Sequence, residues 1–170
     1  MNTSWKNVRM FLIMLVLASN IGCDQISKNI AREKLDYHDQ ISLLNGHLTL
    51  IKVENTGAFL SLGNSLPQPL KLILLGIIPL TALAIALIYV LTKRRISGIR
   101  MVGMCFLIGG GIGNIADRMI FGSVTDFLHL NFGTLQTGIF NMADVSIMTG
   151  LALILLDSWY YRMLSTFRSN

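Results

Sequence analysis

The apolar run at residues 70–91 constrains this chain more than any other feature. Only Lys71, Gly76, Pro79 and Thr81 interrupt it. As a helix it would reach about 33 Å at 1.5 Å per residue, enough to cross the hydrocarbon core of a bilayer with some tilt. Pro79 is expected to kink that helix, because it lacks a backbone N–H and its ring crowds the preceding turn. Three weaker runs accompany it, at 8–23, 96–115 and 140–161. The last ends in an aromatic group, Trp159, Tyr160 and Tyr161, and such rings favour the membrane–water boundary. Composition agrees. Hydrophobic residues make up 52% and charged residues 14%, against roughly a quarter charged in soluble domains. That excludes an ordinary soluble domain and a disordered chain, which needs low hydrophobicity. A length of 170 residues allows one domain, 1–170.

The net charge of +5 could signal nucleic acid, so the placement of the basic residues decides. Lys6 and Arg9 precede or open the first span. Lys93, Arg94 and Arg95 lie between spans two and three, with Arg100 close behind near the start of span three, and Arg162 and Arg168 follow span four. Four spans put all three groups on one side, and the positive-inside rule makes that side the cytoplasm. No nucleic-acid partner is implied. Both termini are then cytoplasmic, and the loops at 24–69 and 116–139 are outside. The first loop is patterned. Residues 24–35 continue as a short helix, with Ile26, Ile30 and Leu35 at roughly helical spacing. Residues 41–62 look β-rich around an Asn45-Gly46 turn. The expected fold is therefore mainly α and integral to the membrane, with four transmembrane helices, a small sheet on the outer surface and a short helix.

Polar groups near a membrane span are costly and mark function by default. On this topology Asp24, Asn114, Asp117, Arg118, Asp126, Asn141 and Asp144 all fall near the outer face. Each has a plainer reading. Asp24 and Lys28 are spaced for an ion pair on a helix. Asn141 and Asp144 have the spacing of a helix cap and an acid in the first turn. Asn114, Asp117 and Arg118 end a span. Asp126, in an apolar loop, is harder to dismiss, and the joint pattern is stronger than any member. Two carboxyl groups held close in a dry site share one proton. The ionised one can then take a proton from water while the protonated one donates to a scissile carbonyl oxygen. Such hydrolysis needs no metal, cofactor or nucleophilic serine. Asp157, at the inner boundary, reads as structural and is expected to reach Arg162 or water.

Other patterns carry less. Cys23 and Cys105 lie in apolar runs and are not expected to pair, and the three histidines have no metal-ligand spacing. The dinucleotide-like string 111–116 lies inside an apolar span with no strand before it. Gly109 and Gly113 instead suit close helix packing. Ile21-Gly22-Cys23 imitates a lipoprotein cleavage site, but three more spans follow it. Asp126 and His129 suggest part of a Ser-His-Asp set, yet no G-x-S-x-G occurs. A small transporter or channel is the rival reading of the whole chain. It is disfavoured by the lack of internal repeats and by acids gathered at one face. A protease with acids inside adjacent spans is disfavoured because the glycine pair leads to Asn114.

Four ordered blocks then stand out: Asp24-Gln25-Ile26-Ser27-Lys28, Val53 to Phe59, Gly110 to Arg118 continuing through Gly122 to Phe127, and Phe140-Asn141-Met142-Ala143-Asp144. In these the chain resembles the bacterial lipoprotein signal peptidases (signal peptidase II), aspartic proteases of the membrane. One departure is that Phe59 follows Ala58 directly where many members have a second alanine. The resemblance implies catalytic residues at Asp126 and Asp144. It implies supporting or substrate-binding residues at Asp24, Lys28, Asn55, Gly57, Asn114, Asp117, Arg118 and Asn141. It also implies an extracytoplasmic β cradle and a bacterial inner-membrane location; a monomer is expected, without a sequence feature that carries it. Its substrates would be prolipoproteins, entering from the membrane lipid and cut before a diacylglyceryl-modified cysteine.

Overall fold

The protein is described here by a computed structural model covering residues 3–58, 62–93 and 95–169. Phe59 and Arg94, named above, lie outside the described residues, as does the side chain of Arg168. Four helices are long and apolar enough to cross a membrane. They are α1 (Thr3–Lys34), α2 (Gln68–Thr92), α3 (Gly98–Phe121) and α4 (Met142–Ser169). Four strands join them: β1 (Ile41–Leu43), β2 (Leu48–Asn55), β3 (Val124–Phe132) and β4 (Leu135–Gln136).

Every helix outruns its apolar stretch. The first span and the short helix expected after it are one rod, because no Gly-Pro break separates Cys23 from Asp24 and the polar residues beyond are buried against protein. The third span continues to Phe121, so Asn114, Asp117 and Arg118 stand on helix rather than opening a loop at 116. Ser97 starts it by accepting from Arg100 N at 3.1 Å. Gly122 ends it in the left-handed region at φ 76°, its N–H returning to Arg118 O. In α2 the residues ahead of Pro79 widen into a π-helical turn, Leu72–Ile77, with Ile78 N bonded to Ile73 O. The wider turn accommodates the missing donor of the proline.

The sheet is antiparallel in the order β1-β2-β3-β4. Residues expected to be β-rich supply only half of it. The central partner of β2 is β3, which places Asp126 on a strand rather than in a loop, opposite Val53. The Asn45-Gly46 turn is a longer connection, with Leu44, Asn45 and Gly46 all at positive φ.

Helix α3 lies at the centre and packs against each of the other three. Glycines allow this. A Cβ on Gly103 would lie 2.9 Å from Gly150 O of α4, and one on Gly109 would lie 2.8 Å from Asn20 Cβ of α1. A Cβ on Gly113 would overlap the Asp24 carboxylate, and one on Gly110 would overlap Ala143 O. Ile13, Leu17, Leu83, Val90, Cys105 and Ile108 fill the space between helices. Outward residues such as Phe11, Ile85 and Leu155 are exposed, the inverted polarity of a lipid-facing bundle. Ala31 and Leu35 of α1 pack on Phe127 of β3 and fix the sheet to the bundle. At the opposite end Arg9 donates to the carbonyls of Val90 and Lys93. There Asp157 pairs with Arg100 at 2.8 Å and accepts from Ser97, not reaching Arg162. The α2–α3 turn comes closer to it than its own helix's tail. Both cysteines are free.

Candidate functional site

The outer ends of α1 and α3, the start of α4 and the sheet converge on one polar cluster. Helix α4 begins with a reciprocal cap. Asn141 Oδ1 accepts from Asp144 N at 3.0 Å, and Asp144 Oδ2 accepts from Asn141 N at 3.1 Å. The plain reading of this pair as a cap is thus correct, but it is not their whole role. Because the oxygen of Asn141 faces the helix, its amide nitrogen faces away. That nitrogen donates to Asp126 Oδ1 at 2.6 Å and to Asn114 Oδ1 at 3.2 Å.

Asn114 completes the ring. Its oxygen also accepts from Lys28 Nζ at 2.9 Å, and its nitrogen donates to Asp144 Oδ1 at 2.9 Å. Two donors on the oxygen leave the Asn114 amide one orientation. Asp126 is held from the other side by Asn55 Nδ2 at 3.1 Å. Asn55 folds the following turn as well, accepting from Gly57 N and donating to Ala58 O. Arg118 reaches from α3 to clamp that turn, donating to Gly57 O at 2.7 Å. Asp126 and Asp144 therefore share Asn141, and each has one fixed amide donor per oxygen.

Behind this ring lies an ionic layer in which Lys28, Asp24 and Asp117 have no exposure and Arg32 reaches the edge. Lys28 pairs with Asp24 at 2.8 Å and Asp117 at 3.2 Å, and Arg32 pairs with Asp117 at 2.9 Å. Two cations and two carboxylates balance, which is what permits burial. Asp24 also accepts from Ala143 N at 2.8 Å, tying α1 to the first turn of α4. Of the ten residues singled out from sequence, all join this assembly. Gln25, Arg32, Glu54 and Thr125 were missed. Gln25 bridges Asp24, Gly113 O and Asp117. Its place inside the first block was the available signal. Glu54 and Thr125 meet only through a cross-strand register that the sequence did not disclose.

Asp126 is 4% exposed. Burial pushes its carboxyl up to about 6 from the usual 3.8, and the neighbouring Asp144 adds to this, while the Asn55 and Asn141 donors pull the other way. Both aspartates line a cavity of about 470 Å³ bounded by α2, α3 and α4. Asn114, Asn141 and Arg118 share its polar end. Its other walls are apolar, including Leu75, Pro79, Leu83, Leu107 and Met148. Arg118 Nε is buried without a hydrogen-bond partner among the described residues. The arrangement offers two carboxyl groups, fixed amide donors and a cation at the closed end of an apolar chamber.

Comparison with known proteins adds three findings. The family model described as signal peptidase (SPase) II matches residues 13–160. The lipoprotein signal peptidase of Aquifex aeolicus is 37% identical over 152 residues, covering 88% of this chain and 87% of that protein. That of Maridesulfovibrio salexigens is 31% identical over 153 residues, covering 88% and 96%. Two solved structures of bacterial membrane enzymes share the fold, with TM-scores of 0.78 and 0.76 at 24% identity. They cover 88% and 86% of this chain, and 88% and 91% of theirs.

Proposed function

This chain belongs to the signal peptidase II family, and from that membership we propose that it removes signal peptides from prolipoproteins by aspartic catalysis, with Asp126 and Asp144 as the pair. The peptidase activity is that of the family. The observation carrying the catalytic type is the shared asparagine bridge. Asn141 binds Asp126 through its side chain and Asp144 through both backbone and side chain, and both carboxyls face one cavity.

The pair holds one proton between two carboxyls. The ionised member takes a proton from water as the water oxygen attacks the scissile carbonyl. The protonated member donates to the carbonyl oxygen, giving a tetrahedral diol. On collapse the protonated carboxyl gives its proton to the leaving amine while the other carboxylate takes one from a diol hydroxyl, so the pair ends with the single proton it began with. Asn114 and Asn141 hold the carboxyls against rotation. Arg118, with a free Nε–H at the cavity, steadies the substrate backbone beside the pair.

The apolar walls suit the acyl chains of a diacylglyceryl cysteine entering from the bilayer between α2 and α4. Both aspartates and the asparagines that hold them meet within one chain, so the proposed pair is complete without a second copy. The basic residues at the opposite end support cytoplasmic termini and a site at the outer face of a bacterial inner membrane. The test is cleavage of a synthetic prolipoprotein peptide by purified enzyme in lipid. Asp126→Asn and Asp144→Asn each lower turnover roughly 1,000-fold or more while the protein still accumulates in the membrane. Near-normal turnover by either variant would overturn the assignment.

A further inference from the structure

Thr125 precedes Asp126 on β3, and strand alternation points the two side chains to opposite faces. Asp126 faces the cavity. Thr125, with no exposure, faces a chain of polar groups that the hydrolysis does not use. Its Oγ1 accepts from Arg32 Nε at 2.8 Å and donates to Glu54 Oε1 at 2.9 Å. A hydroxyl has one proton, so with Arg32 as donor that proton is committed to Glu54. The other oxygen of Glu54 accepts from Ser123 Oγ at 2.6 Å. The Thr125 backbone N–H points to Asp117 Oδ2 at 3.4 Å, the same oxygen that pairs with Arg32. Arg32 is itself held, its guanidinium lying 4.0 Å above the Phe121 ring. One threonine thus joins α1, β2, α3 and β3 immediately behind Asp126.

We propose that the relay Arg32–Thr125–Glu54–Ser123 is the positioning device of Asp126, fixing the height and twist of β3 so that its carboxyl meets Asn141 and Asn55. The relay touches neither the cavity nor the substrate, and it acts through strand placement. It has consequences because Asp126 pairs immediately past a break in the strand register. The β2–β3 pairing slips between Leu50 and Val53, two positions before the relay begins at Glu54. The buried hydroxyl pins the register after the slip, and a displacement near 1 Å at a reacting group costs up to about 100-fold in rate.

The inference rests on Asp126 belonging to the catalytic pair, so the experiment carries Asp126→Asn alongside. Thr125→Val keeps the shape and removes the hydroxyl, while Thr125→Ser keeps the hydroxyl. Each is assayed on the lipid-modified peptide in proteoliposomes at matched amounts of folded enzyme. Thr125→Val is expected to lower kcat roughly fivefold or more with KM within about twofold, and Thr125→Ser to restore most of it. If Asp126→Asn is inactive and Thr125→Val has wild-type kcat, the relay is not a positioning device. Equal loss in the valine and serine variants overturns it too. If Asp126→Asn is active, the catalytic assignment itself has failed. Should Thr125→Val not accumulate, Glu54→Leu, which removes both acceptor oxygens from the half-buried carboxylate of the relay, is read in the same way. A fall in kcat of about threefold or more supports the proposal and an unchanged kcat overturns it.

Discussion

Asp126 accepts two amide donors and still keeps its proton to about 6, because burial and the Asp144 carboxylate outweigh them. The sign of the linkage follows. The folded protein binds this proton more tightly than the unfolded chain does. The resulting stabilisation is complete below about 4 and is lost as the pH rises through 6, a difference on the order of 3 kcal/mol. Asp126→Asn is expected to remove that segment of pH dependence from thermal unfolding in detergent. On the proposed mechanism the pair needs one proton, so kcat/KM should fall on the alkaline side with an apparent pKa near 6. The corresponding limb of kcat should lie higher, since bound substrate excludes water further. Coincident limbs in kcat and kcat/KM would contradict this. Arg118→Ala releases the turn at Gly57 and is expected to lower kcat/KM roughly tenfold or more, from the loss of a charged hydrogen bond.

At the scale of elements, the helices approach one another only where side chains are absent. A Cβ on Gly150 would lie 2.7 Å from Leu107 N, a backbone atom that cannot give way. Gly150→Ala is therefore expected to cost about 1–3 kcal/mol and to lower Tm by several degrees. Gly111→Ala meets only the branched tip of Leu83 and should cost less. Equal Tm values for the two variants would show that α3 and α4 can separate freely. The same contrast explains what the sequence disclosed. Hydropathy located four spans, because lipid-facing residues must be apolar along their whole length. It did not disclose how far α1 and α3 continue past the apolar runs, because Asp24, Lys28 and Asp117 are buried against protein. For such residues a polar side chain does not end a helix. Strand β3 was hidden for another reason. Val124, Asp126, Leu128 and Leu130 share one face only by virtue of pairing with β2, and pairing is non-local. The candidate residues were legible because they are short blocks of acids and amides in apolar surroundings. Their partners Arg32, Glu54 and Thr125 resembled ordinary surface residues.

Across the whole molecule the polar cluster and the charged opposite end are separated by an apolar bundle. The Arg100–Asp157 pair closes that opposite end, with Ser97 as its third member. Asp157→Asn is expected to lower Tm while leaving kcat/KM for the lipid-modified peptide unchanged, because nothing there touches the cavity. A parallel loss of activity would mean that the two ends communicate through α3 and α4. The apolar chamber makes a second demand. A peptide without its diacylglyceryl group loses the surface that would fill it, and should be cleaved far more slowly, through KM above all.

The unbroken course of α1 has a consequence for the enzyme's own survival. Residues 21–23 spell Ile-Gly-Cys, close to the sort of sequence such a peptidase cuts. On the proposed mechanism a scissile bond must be drawn out straight before two acids can straddle it. Here the bond ahead of Cys23 is wound into the middle of a 32-residue helix, and the very next side chain, Asp24, is anchored to the first turn of α4. Coiled in this way, the decoy motif is not presented as an extended strand for cutting.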